Sequence, residues 1–483
     1  MWKQVFADHA RRTPDAAAVT TPERTVGYGR MAEDLERLSG RIAGLALPAG
    51  ATVAVWVREP YLQWLTMLAV DRLGFPSFSF FNEPFDEAGW RIVRPARVFT
   101  DRAEMGADER FTLIDPAWLE QPAPAFAEPA PDPDAPARLQ LSSGTTGTPK
   151  QVVWTRRIQE HRVRNILQRA LPPNVRSLTM FLPQTGLGFV VPLATFIQGG
   201  TVLACEGLFW DAALWDLKPN YIAATPRHLR EILTKLPAGF RPDPGLQIMT
   251  GGSATPRALQ RAVSSQISPN LHVWYGASET GMVAHCFRSV LDRYETAAGE
   301  LLPGAEAEIV DAEGKPAPTG EIGQIRLRTP VMVAGYKDNP EQTRASFRDG
   351  WFYPGDTGFL TEERVLVLEG RASEVMNFGG TKVSPEAAES AAMAAPGVLD
   401  AGAFTMPGGH GMPVLWVAVK TGPGFSEAAV QERVQAAVKI KPVMVAQLRQ
   451  IPRNPAGKIQ RELLAGLVRA RGGWKKAAPG RRR

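Results

Sequence analysis

Cysteine is scarce: Cys205 and Cys286 are the only two in 483 residues. Two thiols cannot build a disulfide framework or a cysteine metal cluster, so both are read as small buried hydrophobes. Long apolar runs are missing as well. No stretch reaches the ~18 consecutive apolar residues of a membrane span. The N-terminal MWKQVFADHARRTPDAAAV carries charges where a secretory signal needs an apolar centre. A cytoplasmic protein without a membrane span is expected. Acidic residues are absent from Arg469 onward, where RARGGWKKAAPGRRR holds seven basic residues; the formal charge of +6 therefore leaves a body near −1. The basic excess is local, so nucleic acid is not an expected partner. Residues 469–483 read as a disordered tail serving solubility or an anionic surface.

What is present is a globular composition, 44% hydrophobic, enough for roughly two to four domains at this length. The helical period of MAEDLERLSGRIAGL at 31–45 and the apolar run ATVAVWV at 51–57 argue for an α/β unit. QPAPAFAEPAPDPDAPAR at 121–138, with six prolines, excludes a regular element. Strand candidates follow at 176–183, 201–205, 221–225, 246–252 and 271–276, with helical patterns at 227–236 and 255–267 between them. This alternation predicts a largely parallel sheet covered by helices. After about residue 301 two strands around the turn Asp311–Gly314 suggest a small β unit. The fold class is thus α/β, with a boundary near 370–374 and a compact α+β segment beyond it.

Five segments carry chemistry. Leu141–Lys150, LSSGTTGTPK, is a run of glycines and hydroxyls closed by a lysine. Glycine lets backbone approach an anion, hydroxyls and N–H groups donate to it, and lysine adds charge, so the segment reads as a polyphosphate cradle. It differs from a Walker A loop, since Lys150 follows Pro149 and Gln151 stands where a Mg2+-binding hydroxyl would be. Glu279 is the acid of Tyr275–Gly281, YGASETG, which follows an apolar strand; it could hold Mg2+ or cap a following helix. Asp356, in WFYPGDTG, could accept from both ribose hydroxyls or close an Asx-turn, and Arg371 could reach a ribose, a phosphate or a seam ion pair. Gly251, Gly252, Ser253 and Ala254 permit close approach to a flat base or make a tight turn. Lys458, on the turn PRNPAGK, is a mobile ammonium suited to developing negative charge, or a solvated lysine.

Together, LSSGTTGTPK, YGASETG, WFYPGDTG, EGRASEVMNFGGTKVSP and PRNPAGK, in this order, resemble the acyl-adenylate-forming superfamily, which includes acyl- and aryl-CoA synthetases, adenylation domains of nonribosomal peptide synthetases, and luciferase. The likeness spans residues 5–465. It implies an N-terminal domain, 1–370, binding ATP and acid, and a mobile C-terminal domain, 371–468. It further implies that a carboxylate and ATP give acyl-AMP and pyrophosphate, after which a thiol or another nucleophile takes the acyl group. On this resemblance Ser142, Ser143, Gly144, Thr145, Thr146, Gly147, Thr148 and Lys150 hold phosphates, Glu279 the Mg2+, and Ser278 the α-phosphate. Gly251–Ala254, Tyr275 and Gly276 flank adenine, Asp356 and Arg371 bind ribose, and Lys458 reaches the attacked centre. Gly379, Gly380 and Lys382 resemble the lining of a tunnel for coenzyme A or a carrier-protein phosphopantetheine. Ser373 occupies a hinge position that is usually Asp or Lys.

For the acid, the segment 182–191 lacks the aspartate of amino-acid-activating relatives, and an unpaired buried ammonium would be costly. Gln184, Thr185, Phe189, Thr225, Trp274, Ala277 and Met282 are the expected pocket walls, fitting an aryl, heteroaryl or medium-sized apolar acid. Coenzyme A is the first expected acceptor, with a carrier protein or an amine as alternatives. A non-catalytic nucleotide-binding protein is the reading of another class. A monomer or homodimer is expected.

Overall fold

The computed structural model describes residues 2–81, 85–106, 108–142, 149–204, 213–371, 374, 376–378, 381–408, 413–454 and 457–470. Three sheets and a hairpin organise them. A six-stranded sheet runs Phe111–Leu113, Arg97–Thr100, Val53–Trp56, Ser77–Ser79, Pro136–Ser142, Lys150–Thr155, parallel except for its last pair. That antiparallel pair registers Ser142 opposite Lys150, so the two flanks of the glycine and hydroxyl run stand side by side.

A fifteen-stranded sheet carries the strands anticipated between 176 and 277. Thr201–Leu203, Arg176–Thr179, Tyr221–Ala224, Gln247–Gly251 and Asn270–Ala277 are parallel neighbours. From Gly281–Cys286 onward the same sheet turns antiparallel, through Ala297–Leu301, Val365–Arg371, Asp356–Leu360 and Gly323–Arg328. The pair Glu306–Val310 and Gly323–Arg328, the small β unit expected after residue 301, belongs to this same sheet. Its second strand also bonds to Asp356–Leu360, a long-range pairing that no local pattern announces.

Helices cover these sheets. Thr155 caps the helix Arg156–Arg169 by accepting from the Ile158 N–H at 3.3 Å, and the helix buries Ile158, Arg162, Val163 and Ile166. The helix Gly186–Gln198 is apolar on every side and buried from Gly188 to Phe196.

Beyond residue 374 the chain builds a second body. A sheet of Val398–Pro407, Pro413–Thr421 and Val443–Gln447 is flanked by helices Pro385–Met393, Glu427–Val438 and Arg461–Ala470. Among the described residues its buried apolar clusters draw only on positions from 376 upward, and the others only on positions up to 368. The architecture is two-domain α/β. Arg469 and Ala470, expected in the tail, instead close the last helix; residues 471–483 lie outside the described part. Cys286 is buried, and desolvation pushes its thiol up to about 12; Cys205 is not described. No helix among the described residues is long and apolar enough to cross a membrane.

Polar contacts join the two bodies. Arg230 Nη1 lies 3.2 Å from Asp400, which also takes Arg453 Nη2 at 2.8 Å, and Ser390 donates to Glu295 at 3.0 Å.

Candidate active site

A cavity of about 560 Å3 opens where the two sheets and the second body meet. It brings together Ser142, Lys150, Ser278, Glu279, Asp356, Arg371 and Lys458, drawn from five separate sequence segments. Volumes of roughly 300–1,000 Å3 are usual for small-molecule sites.

The hairpin Asn270–Ala277 and Gly281–Cys286 supplies its central wall. A side chain at Gly276 would run into the Gly281 carbonyl, so the tight return fixes glycine there. No helix follows Glu279, which removes the capping alternative. Its side chain is 6% exposed, and Oε1 accepts from the Tyr336 hydroxyl at 2.8 Å. Oε2 takes no hydrogen bond among the described residues and can face a cation. Among them no cluster of three or more His, Cys, Asp or Glu side chains forms a metal cage. A Mg2+ beside Glu279 would have to draw most of its ligands from phosphate and water, as Mg2+ commonly does.

Tyr275 donates to Asp356 Oδ2 at 2.7 Å, and Arg371 Nε stands 3.3 Å from Oδ1. Burial first, then the Asp356 charge, raises the Tyr275 pKa well above its usual value. Asp356 is thereby held as an oriented acceptor. Lys458 reaches the same cavity from the second body, its N–H bonded to Asn454 Oδ1 at 2.9 Å. Desolvation and then the nearby Arg371 charge lower its pKa, against opposing pulls from Asp356, Glu279 and Glu374.

Thr185, Thr225, Trp274, Ala277, Met282, Tyr275, Gly276 and Gly252 line the cavity. Thr185 and Thr225 cap the helices that start there, accepting from Gly188 N at 3.2 Å and His228 N at 3.3 Å. Trp274 stacks on His285 with centroids 4.2 Å apart.

Phe189 does not line it. Its ring stacks on Trp64 and lies under the guanidinium of Arg138, 4.0 Å away; Arg138 is completely buried, donating to Ser77 and Ser79 at 3.1 Å each and to the Pro183 carbonyl. The buried arginine needs an aromatic face and oxygen acceptors, and claims Phe189 for that purpose. Gln184, Gly251, Ser253 and Ala254 also stand outside the lining. A Cβ at Gly251 would meet the Trp274 carbonyl at 2.6 Å, so this glycine serves strand packing. Ser143–Thr148, Ser373, Gly379, Gly380 and the side chain of Lys382 lie outside the described residues.

The sequence reading missed Trp154, Arg162, Asn165, His228 and Tyr336, all of them lining residues. For Arg162 a signal existed: Ile158, Arg162 and Ile166 recur every four residues, placing a charge on an apolar stripe. Burial holds His228 down at about 4, hence neutral near pH 7.

The model of the family described as AMP-binding enzyme matches residues 93–337. A sulfoacetate–CoA ligase of Cupriavidus necator is 31% identical over 95% of this chain and 96% of its own length. A 3-hydroxybenzoate–CoA ligase of an Aromatoleum species is 29% identical over 81% of this chain and 76% of its own. Among solved structures, ATP-bound MatB from Rhodopseudomonas palustris superposes with a TM-score of 0.83 at 22% identity, covering 96% of this chain and 98% of that one.

Proposed function

Because the chain belongs to the AMP-binding enzyme family, we propose that its cavity activates a carboxylic acid with ATP and passes the acyl group to the thiol of coenzyme A. In the first step a carboxylate oxygen attacks the α-phosphorus, the bond to the β-phosphate oxygen breaks, and pyrophosphate leaves. In the second the thiol sulfur, giving up its proton, attacks the acyl carbon and AMP leaves with the electron pair. The observation that carries this reading is the convergence of Lys458, Glu279, Asp356 and Arg371 on one cavity from two separately cored bodies.

The roles follow from the chemistry of each group. Asp356, already oriented by Tyr275 and Arg371, takes the ribose hydroxyls. Ser142 and Lys150, side by side across their strands, flank the loop that would hold the leaving phosphates. Ser278 donates to the α-phosphate, and Lys458 meets charge growing on the attacking carboxylate and the phosphorus. Mg2+ held through Glu279 would neutralise the phosphates and favour departure of pyrophosphate. The acid fills the part walled by Trp154, Met180, Trp274 and Met282. Glu279 and Asp356 are the only acidic groups in the described lining, and both belong to the nucleotide part. Among the described lining residues no carboxylate is left to pair an ammonium, so an aryl, heteroaryl or medium-sized apolar acid fits and an α-amino acid does not.

Acid-dependent pyrophosphate release over a panel of carboxylic acids, repeated with coenzyme A, pantetheine, carrier protein and amines, tests the whole reading. Release with at least one acid, coupled to thioester formation with coenzyme A, is expected; no release with any acid would refute it. Asp356→Asn should raise the KM for ATP about tenfold or more, because the neutral amide accepts only half as well from two hydroxyls. An unchanged KM would remove the ribose role.

The observed placement of Lys458 suits the first step, and the second requires the domain from about 371 to 468 to turn and present the segment around Gly379, Gly380 and Lys382. The bridge from Arg230 to Asp400 then stabilises the acyl-AMP-forming arrangement. Arg230→Met should slow pyrophosphate release about three- to tenfold, in line with a partly buried ion pair, without slowing thioester formation from supplied acyl-AMP. Equal slowing of both steps would show that the bridge only maintains the fold.

A further inference from the structure

A guanidinium occupies a place on the helix Arg156–Arg169 that the helical period reserves for an apolar side chain. Arg162 is 5% exposed. Its Nη1 donates to the Ser278 carbonyl at 3.0 Å, and its Nη2 to those of Glu279 at 3.3 Å and Val331 at 3.1 Å. The guanidinium carbon lies 4.2 Å from the centroid of Trp154. Gly281, at a φ of +70°, passes close enough that a Cβ there would stand 3.0 Å from Nε. Among the described residues Nε has no hydrogen-bond partner; neither has the indole N–H of Trp154, which is 1% exposed. Both residues line the cavity, joined by Asn165 one turn further along the helix.

Among the described residues no carboxylate lies within ion-pair distance of Arg162. Burial draws its pKa down to about 9, so the group remains charged near neutral pH. A buried cation held by carbonyl dipoles, an aromatic face and the Glu279 charge beyond ion-pair distance is still expensive, and gains when an acceptor of negative character meets it directly. Bracing the Ser278–Glu279 turn uses Nη1 and Nη2. It gives no reason for two further buried N–H groups to stand unpaired at the same wall. The ribose and lysine groups, Asp356, Arg371 and Lys458, come from other elements, the antiparallel end of the large sheet and the second body, whereas Arg162 and Asn165 come from the helix beside the apolar walls.

We propose that Arg162, Trp154 and Asn165 form the specificity-determining end of the acid pocket, reading an oxygen acceptor that the acid carries away from its activated carboxylate. The substrate class is then an acid with a second oxygen function, hydroxyl or oxyanion, rather than a plain hydrocarbon acid. This rests on the acid-activating reading given above.

The test measures kcat/KM for pyrophosphate release by the full-length enzyme with matched acids: benzoate against 3-hydroxybenzoate and isophthalate, and butanoate against glutarate. In at least one set the oxygen-bearing acid should be preferred about tenfold or more, since a donor site left unpaired penalises the analogue. Arg162→Met should bring that ratio to within about threefold of unity, and Asn165→Leu or Trp154→Phe should lower it about threefold. A purely structural arginine would depress both members of a pair alike and leave the ratio unchanged, which overturns the proposal. Should Arg162→Met not fold, the ratio in the other two variants decides in the same way. Release without any preference for an oxygen-bearing acid overturns this inference and leaves acid activation standing. No release with any acid of the wider panel removes both.

Discussion

Replacement of Lys458 by alanine is expected to cut acid-dependent pyrophosphate release about 100-fold or more, and to leave thioester formation from supplied acyl-AMP within about threefold of the unsubstituted enzyme. The split follows from where the lysine stands. It enters the cavity from the second body, beside Asp356, Glu279 and Arg371, and so touches charge that develops only while the carboxylate attacks phosphorus. In thioester formation the phosphorus is already esterified and that charge does not arise. The same placement sets a pH dependence. Desolvation and Arg371 lower the pKa of Lys458 from 10.5, so the ammonium is lost at a lower pH than for an ordinary lysine. Pyrophosphate release should therefore decline as pH rises through a value below 10.5, while thioester formation from supplied acyl-AMP should show no matching limb. Equal loss of both half-reactions in Lys458→Ala would contradict the role.

How much of this site was legible in the sequence depends on what dictates each residue. Glu279, Asp356, Arg371 and Lys458 sit in turns or at strand ends where glycine, proline and polar groups cluster against an apolar background, and such punctuation survives in a single sequence. Phe189 was misassigned because an all-apolar helix gives no clue to which face meets the cavity. The decision rests with Arg138, which lies on another element and takes the phenyl ring for itself. Arg162 was overlooked for a related reason. Its helix also holds Arg156, Arg157, Arg164 and Arg169, and among so many arginines the short stripe of Ile158 and Ile166 that singles out Arg162 is a faint signal. Tyr336 comes to Glu279 from 57 residues away, and the strand Gly323–Arg328 joins the large sheet through a partner beyond residue 355. Local pattern fixed the parallel half of that sheet well, because strand and helix alternate there over short spans; the antiparallel half is built from distant pairings that periodicity cannot express.

Glu279→Gln should be the most informative single change at the phosphate end. Glutamine keeps a carbonyl oxygen that can accept the Tyr336 hydroxyl, now held at 2.8 Å, so the turn and its burial are preserved. What disappears is the negative charge on the oxygen that takes no hydrogen bond among the described residues. A neutral amide holds Mg2+ far more weakly than a carboxylate, and pyrophosphate release should fall about 100- to 1,000-fold, with the remaining activity needing more Mg2+ for half-saturation. Tyr336→Phe, which removes the donor but keeps the carboxylate, should cost only about tenfold, because Oε1 loses its orientation and not its charge. If the carboxylate were there only to anchor Tyr336, the order would reverse: Glu279→Gln would be nearly silent and Tyr336→Phe the larger loss. Titration of pyrophosphate release with Mg2+ in both variants separates the two, since only loss of a cation ligand moves the half-saturating concentration.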